Sequence, residues 1–186
     1  MTQGQIRIIG GQWRGRKLTV PAVPNLRPTP DRVRETLFNW LAMSIQGAHC
    51  LDPFAGSGAL GFEALSRGAA SVVMVDSSPI VVKLLQEEIA MLKAENGSVY
   101  RAQAPQQLQP PIQPFDIVFL DPPFQENLLL PTCFFLEENN FLAQTALIYL
   151  EAKASVKSEE LPENWRIIRS KIAGQVAYHL IEKTSR

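Results

Sequence analysis

Two rhythms of apolar residues alternate along this chain. One is the short, nearly unbroken run, as in residues 72–75, 117–120 and 146–150. Such runs suit strands buried on both faces of a parallel sheet. The other is a stripe with apolar residues three or four apart, as in Val33, Leu37, Phe38 and Leu41, or Val81, Leu84, Leu85, Ile89 and Leu92. That spacing is one face of a helix. In chain order the pattern predicts a strand closing on Asp52 and a helix through residues 60–65 that stops at Gly68. A strand over 71–76 and a helix from Ser78-Pro79 to Asn96-Gly97 come next. A weak strand over 98–102, a strand from Phe115, a helix over 127–138 and a strand over 146–151 follow. Strand and helix in alternation make a doubly wound α/β sheet.

Both ends depart from that alternation. Residues 167–172 and 176–181 flank Gly174 and predict an antiparallel hairpin that closes the sheet edge. Residues 6–9 and 16–20 flank Gly10, Gly11 and Gly15 and predict a second hairpin, with Trp13 and arginines near its tip. A proline-rich loop over 21–28 follows, and a helix starts at Thr29-Pro30-Asp31 with Thr29 as its N-cap. The expected organisation is a hairpin and extended loop over 1–28 and one larger domain over 29–186.

The richest stretch lies where the first core strand ends, Asp52-Pro53-Phe54-Ala55-Gly56-Ser57-Gly58. Glycines there allow a tight turn close to a ligand, and the next helix points its free N–H groups at the same place. Gly56-x-Gly58-x-x-Gly61 also matches a dinucleotide fingerprint, with Asp76 at the end of the next strand. A nicotinamide-dependent oxidoreductase is therefore one possibility. However, four residues, beginning with Asp52, separate the strand end from the first glycine. A carboxylate facing a pyrophosphate is repulsive, whereas it suits a cofactor carrying an ammonium and a sulfonium, S-adenosyl-L-methionine. Asp52, Phe54, Ala55, Gly56, Ser57 and Gly58 are the expected cradle. Asp76, with Ser77, can accept ribose hydroxyls, and Ala104 follows the third strand where an adenine would lie.

Residues 115–124 hold the second candidate site. A buried strand runs into Asp121-Pro122-Pro123-Phe124, and in a doubly wound sheet this strand lies beside the first, across the switch point. An exocyclic amine on a base is a poor nucleophile because its lone pair is delocalised into the ring. Two acceptors can bind its hydrogens and aim the lone pair at a methyl donor. The Asp121 carboxylate and the Pro122 carbonyl, held by consecutive prolines with fixed φ, are such a pair. Phe124 can stack on the base, which must first leave its own stack.

The net charge is +0, yet it is unevenly spread. Residues 1–36 carry Arg7, Arg14, Arg16, Lys17, Arg27, Arg32 and Arg34 against Asp31 and Glu35, a balance of +5 offset by −5 in the remainder. A basic end on an acidic body suits a polyanion docked at one side. Arg7, Trp13, Arg14, Arg16, Lys17, Arg32 and Arg34 are the expected contacts to such a polyanion. The composition is that of an ordinary soluble domain, with no apolar run of membrane-spanning length and no leader-like segment. A cytoplasmic location is expected. Cys50 and Cys133 lack metal-ligand spacing and read as buried thiols, and His49 and His179 read as structural. No metal site is expected.

Together, Phe54-Ala-Gly-Ser-Gly58 and Asp121-Pro-Pro-Phe124 resemble the class I amino-methyltransferases of nucleic acids. Three further strings narrow the resemblance, Arg7-Ile-Ile-Gly-Gly-Gln-Trp-Arg-Gly-Arg-Lys17, the run from Arg27-Pro-Thr-Pro-Asp to Leu37-Phe-Asn39, and Ala173-Gly-Gln-Val-Ala-Tyr178. They are similar to the RsmD family of bacterial 16S ribosomal RNA (guanine-966-N2)-methyltransferases, over nearly the whole chain. The resemblance implies a monomer with a seven-stranded, Rossmann-like methyltransferase fold plus an N-terminal hairpin. It also implies S-adenosyl-L-methionine as donor and 16S rRNA in the small ribosomal subunit as substrate. Rivals are a DNA adenine-N6 methyltransferase, for which the chain leaves little room for a target-recognition domain, and a non-catalytic RNA-binding module.

Overall fold

A computed structural model describes residues 4–23, 29–153 and 155–185. The first hairpin is β1 (Gln5–Arg7) and β2 (Lys17–Thr19), followed by α1 (Asp31–Trp40). The core then runs β3 (His49–Asp52), α2 (Ala59–Ser66), β4 (Ser71–Asp76), α3 (Pro79–Leu92), β5 (Gly97–Arg101) and β6 (Phe115–Leu120). It continues through α4 (Leu129–Glu138), β7 (Leu142–Ala152), β8 (Trp165–Ala173) and β9 (Val176–Lys183).

The apolar runs pair side by side into one seven-stranded sheet of order β5-β4-β3-β6-β7-β9-β8. The five strands from β5 to β7 are parallel, and β9 and β8 join antiparallel at the edge. After β3 the chain builds outward through β4 and β5, then returns to place β6 on the other side of β3. That reversal opens a crevice at the carboxyl ends of β3 and β6, as expected for a doubly wound sheet. No α-helix among the described residues is long and apolar enough to cross a membrane.

The predicted bounds hold closely for β4, and they shift elsewhere for physical reasons. β7 begins at Leu142 rather than Ala146, because Leu142 pairs with Phe115 across an irregularity in the β6 register. α4 begins at Leu129 because Asn127 takes a positive φ of 49°, which no helix accommodates. At α1 the N-cap position is Pro30, with no side-chain cap. Thr29 instead turns its hydroxyl toward Asp121, at 3.5 Å from Oδ2. The loop preceding it, expected over 21–28, falls from residue 24 onward outside the described residues.

The N-terminal hairpin packs on the helices rather than on the sheet. Ile6, Ile8, Leu18 and Val20 enter the same apolar core as Phe38, Phe62 and Leu65. Buried polar side chains hold its backbone. Glu63 accepts from the amides of Ile9 and Gly10, each at 2.8 Å. Ser66 binds Gly10 and Trp13, and Glu88 accepts from the amide of Thr19 at 2.9 Å. Gly11, with φ 78°, passes so close to the Ser66 backbone that a Cβ would collide with it.

Candidate active site

Four adjacent parallel strands deliver a carboxylate to the same edge of the sheet. β4 ends at Asp76 and β3 at Asp52, β6 is followed directly by Asp121, and β7 carries Glu151 next to its last residue. All four line one cavity of about 1060 Å³.

On the β3 and β4 side, the glycine turn is tied down by Asp76. Its Oδ2 accepts from the amide of Gly56 at 3.0 Å, and its Oδ1 from the amide of Ser78 at 2.8 Å. Asp76 therefore links the turn to the start of α3, while Ser78 itself caps that helix through Val81. A carboxylate has more than two acceptor positions, so half-buried Asp76 retains capacity for a ligand. Phe54, Ala55, Gly56, Ser57, Ser77 and Ala104 all line the cavity. Gly58 is not among the lining residues. It starts α2 at φ 73°, and a Cβ there would meet Leu85 and Phe62 at 2.6 and 2.7 Å. Its role is to let the turn pack, one layer behind the site.

On the β6 and β7 side stand Asp121, Pro122, Pro123 and Phe124, again lining the cavity. The Pro123 carbonyl accepts from Glu126 at 3.1 Å, whereas no hydrogen bond among the described residues uses the Pro122 carbonyl. Lys153 Nζ stands 5.9 Å from the centre of the half-buried Phe124 ring. Beneath them Tyr149 donates to Glu151 Oε1 at 2.6 Å.

Burial and crowding raise the proton affinity of these carboxylates. Burial pushes Asp52 up to about 7, Asp76 adds to this, and the backbone amides of Phe54 and Gly61 oppose it. Asp121 is raised well above the ordinary carboxylate range, by burial first and then by the charges of Glu151 and Asp52. Glu151 is also raised, chiefly by burial, with hydrogen bonds from Tyr149 and Thr29 working against the shift. The site is a strong acceptor surface awaiting positive charge or N–H donors.

Glu151 and Tyr149 were not singled out by the sequence pattern, and Thr29 was read as a helix cap rather than as a site residue. The signal available for Glu151 was the same one that marks Asp52, Asp76 and Asp121, an acid at the end of an apolar run.

The basic residues divide. Arg7, Arg14, Arg16, Lys17 and Arg32 are exposed. Arg34 is not; contrary to expectation it is fully buried and cannot reach an RNA phosphate. It lies 2.6 Å from Asp31 and 3.5 Å from Glu63, and donates to the carbonyl of Arg7 at 2.9 Å. Its position on the apolar stripe of α1 turns it inward, where it secures the hairpin. Trp13 is half-buried and packs against the main core.

The family model described as Conserved hypothetical protein 95 matches residues 6–182. The chain is 54% identical over 180 residues to ribosomal RNA small subunit methyltransferase D of Escherichia coli (strain K12), covering 97% of this chain and 91% of that one. It belongs to this RsmD family. The Haemophilus influenzae relative of the same name is 47% identical over 184 residues, covering 97% and 95%. The solved structure of yhhF from Escherichia coli matches with a TM-score of 0.88 at 52% identity, over 98% of this chain and 100% of that one. A precorrin-6y C5,15-methyltransferase from Geobacter metallireducens shares the fold at 17% identity and a TM-score of 0.66, over 88% and 92%. The fold is therefore that of the Rossmann-like methyltransferases, with a small antiparallel hairpin added in front.

Proposed function

We propose that this protein transfers a methyl group from S-adenosyl-L-methionine to the exocyclic N2 amine of a guanine in 16S ribosomal RNA. The observation that carries the reading is the pairing of two acceptor sets across the switch point. A glycine turn bound to Asp76 faces an Asp121-Pro122 pair, on a chain whose relatives are named as small-subunit rRNA methyltransferases.

The residues suit the cofactor. Asp52, raised by burial first and then by Asp76, favours a ligand carrying cationic groups over one bearing a pyrophosphate. Asp76 is placed to accept hydroxyls, and Ala102, Gln103 and Ala104 line the wall where an adenine would rest. When bound, the cofactor supplies an electrophilic methyl group on its sulfonium.

The chain's own residues supply the rest. Asp121 accepts one hydrogen of the target amine and the Pro122 carbonyl the other, which orients the nitrogen lone pair toward the donor. Phe124 covers the face of a base drawn out of its stack. Transfer would exchange the methyl group's bond to sulfur for one to nitrogen, leaving a neutral thioether, and the amine, then positively charged, would have to lose a proton. Asp121, with its proton affinity raised by burial and by Glu151, is the acceptor in reach. Exposed Arg14, Arg16 and Lys17 offer contacts to RNA phosphates, which position without reading sequence.

The test is transfer of labelled methyl from S-adenosyl-L-methionine to small ribosomal subunits lacking the modification. Wild type is expected to label guanine at N2. Asp121→Ala is expected to lower kcat by at least about a hundredfold, the scale of a lost acid–base group, while calorimetry shows cofactor affinity close to wild type. Near wild-type transfer by the variant would remove Asp121 from the chemistry.

A further inference from the structure

Glu151 is the acid of the row to which neither the cofactor cradle nor Asp-Pro-Pro-Phe gives a task. β6 and β7 run parallel with Leu120 beside Leu150, so Asp121 and Glu151 leave their strands side by side. Both line the cavity, and Glu151 is only 6% exposed. Fully buried Tyr149 donates to Glu151 Oε1 at 2.6 Å and fixes the orientation of the carboxylate. Its hydroxyl supplies no countercharge. A buried carboxylate beside another carboxylate is costly unless N–H donors arrive to meet it.

The bases differ in what they offer there. In adenine and cytosine the ring nitrogen beside the amine on the pairing edge carries a lone pair. In guanine the corresponding neighbour of the 2-amine is N1–H. Guanine therefore presents three N–H bonds in a row, one from N1 and two from the amine. The cleft holds three acceptors in a matching neighbourhood, Glu151, Asp121 and the Pro122 carbonyl. Enzymes that extract a base read it by hydrogen bonds to this edge.

We propose that Glu151 selects guanine by accepting its N1–H, while Asp121 and Pro122 hold the 2-amine; the proposal rests on the methyl-transfer reading above. A base with a lone pair at N1 meets the Glu151 carboxylate with repulsion. Tyr149 acts through Glu151 as a positioning residue.

The experiment uses small subunits whose target guanine is retained or replaced by 2,6-diaminopurine, which keeps the 2-amine but has a lone pair at N1. Wild type is expected to prefer guanine in kcat/KM by about 10–100-fold, the discrimination of a good base contact. Glu151→Gln, nearly isosteric and able to donate from its amide to N1, is expected to shrink that preference at least about tenfold. Its affinity for S-adenosyl-L-methionine should match wild type by calorimetry, which separates base selection from a defect in the cofactor cradle. Tyr149→Phe should shrink the preference to a lesser degree. Equal use of both substrates by wild type overturns the proposal whatever the variants do, and so does an unaltered preference in folded Glu151→Gln. If wild type transfers no methyl to the guanine substrate, the methyl-transfer reading fails and this proposal falls with it.

Discussion

Asp52, 2% exposed at the end of β3, holds its proton up to a pH of about 7 because burial and Asp76 both disfavour the charge. A raised acid pKa means that the folded chain binds this proton more tightly than the unfolded chain does. Its contribution to stability is complete below the ordinary carboxylate range and declines as pH rises toward 7. A cationic ligand has the opposite preference, since it favours the ionised carboxylate. S-adenosyl-L-methionine binding should therefore release protons near pH 6, and its affinity should strengthen by up to about tenfold per pH unit until it levels off above 7. Calorimetry in two buffers of different ionisation enthalpy measures the release directly. Asp52→Asn should abolish most of it. Asp76 makes a different case, because it already binds the amides of Gly56 and Ser78. Asp76→Ala removes the turn's anchor and, on the proposed reading, the acceptor for ribose hydroxyls. It should weaken cofactor binding by about 1.5–3 kcal/mol, the range for hydrogen bonds to a charged group. Unchanged affinity in the folded variant would take Asp76 out of the site.

At the scale of elements, the surprise is how the hairpin is fastened. Glu63, fully buried on α2, receives the amides of Ile9 and Gly10 together with the guanidinium groups of Arg34 and Arg67. One carboxylate therefore joins β1's exit, α1 and α2. Removing it leaves the amides of Ile9 and Gly10 without their acceptor and Arg34 with Asp31 as its remaining carboxylate, and taking one partner out of a buried charge network costs about 3–5 kcal/mol. Glu63→Ala should lower the unfolding free energy by that amount in urea titration; a loss below about 1 kcal/mol would mean water replaces the carboxylate freely. The pairing was not legible beforehand, because Arg34 and Glu63 lie 29 residues apart. The inward turn of Arg34 was, since it stands three, four and seven residues before Leu37, Phe38 and Leu41 on the apolar stripe of α1. Strand ends were legible as well. The apolar run, the terminating acid and the glycine turn are contiguous in sequence, so Asp52, Asp76 and Asp121 could be assigned to one edge from topology alone. Glu151 carried the same local signal, an acid at the end of an apolar run, whereas Thr29 needed the path of a loop, which local pattern does not encode.

The whole molecule separates a carboxylate-rich cleft from a basic hairpin, and the two halves of the charge distribution have different tasks. With Arg34 internal, the exposed cations of the N-terminal segment are Arg7, Arg14, Arg16, Lys17 and Arg32 among the described residues. Arg14, Arg16 and Lys17 surround the hairpin tip, and none makes an ion pair among the described residues. The backbone beneath them is held by Glu63, Ser66 and Glu88, so these side chains are dispensable for docking the hairpin. That separation makes a clean experiment possible. Each phosphate contact releases condensed counterions and adds to the steepness with which affinity falls with salt. Replacing Arg14, Arg16 and Lys17 together by Ala should raise KM for the small subunit. It should also flatten the log–log salt slope by about 2–3, roughly one per lost contact. Melting temperature should barely move, because exposed charges contribute little to folding. Affinity for S-adenosyl-L-methionine should stay at the wild-type value, because the three residues are not among those lining the cavity. Binding of small subunits across a salt series, wild type beside the triple variant, decides the matter. An unaltered slope would place the RNA elsewhere on the surface and leave the basic tip as a solvated face.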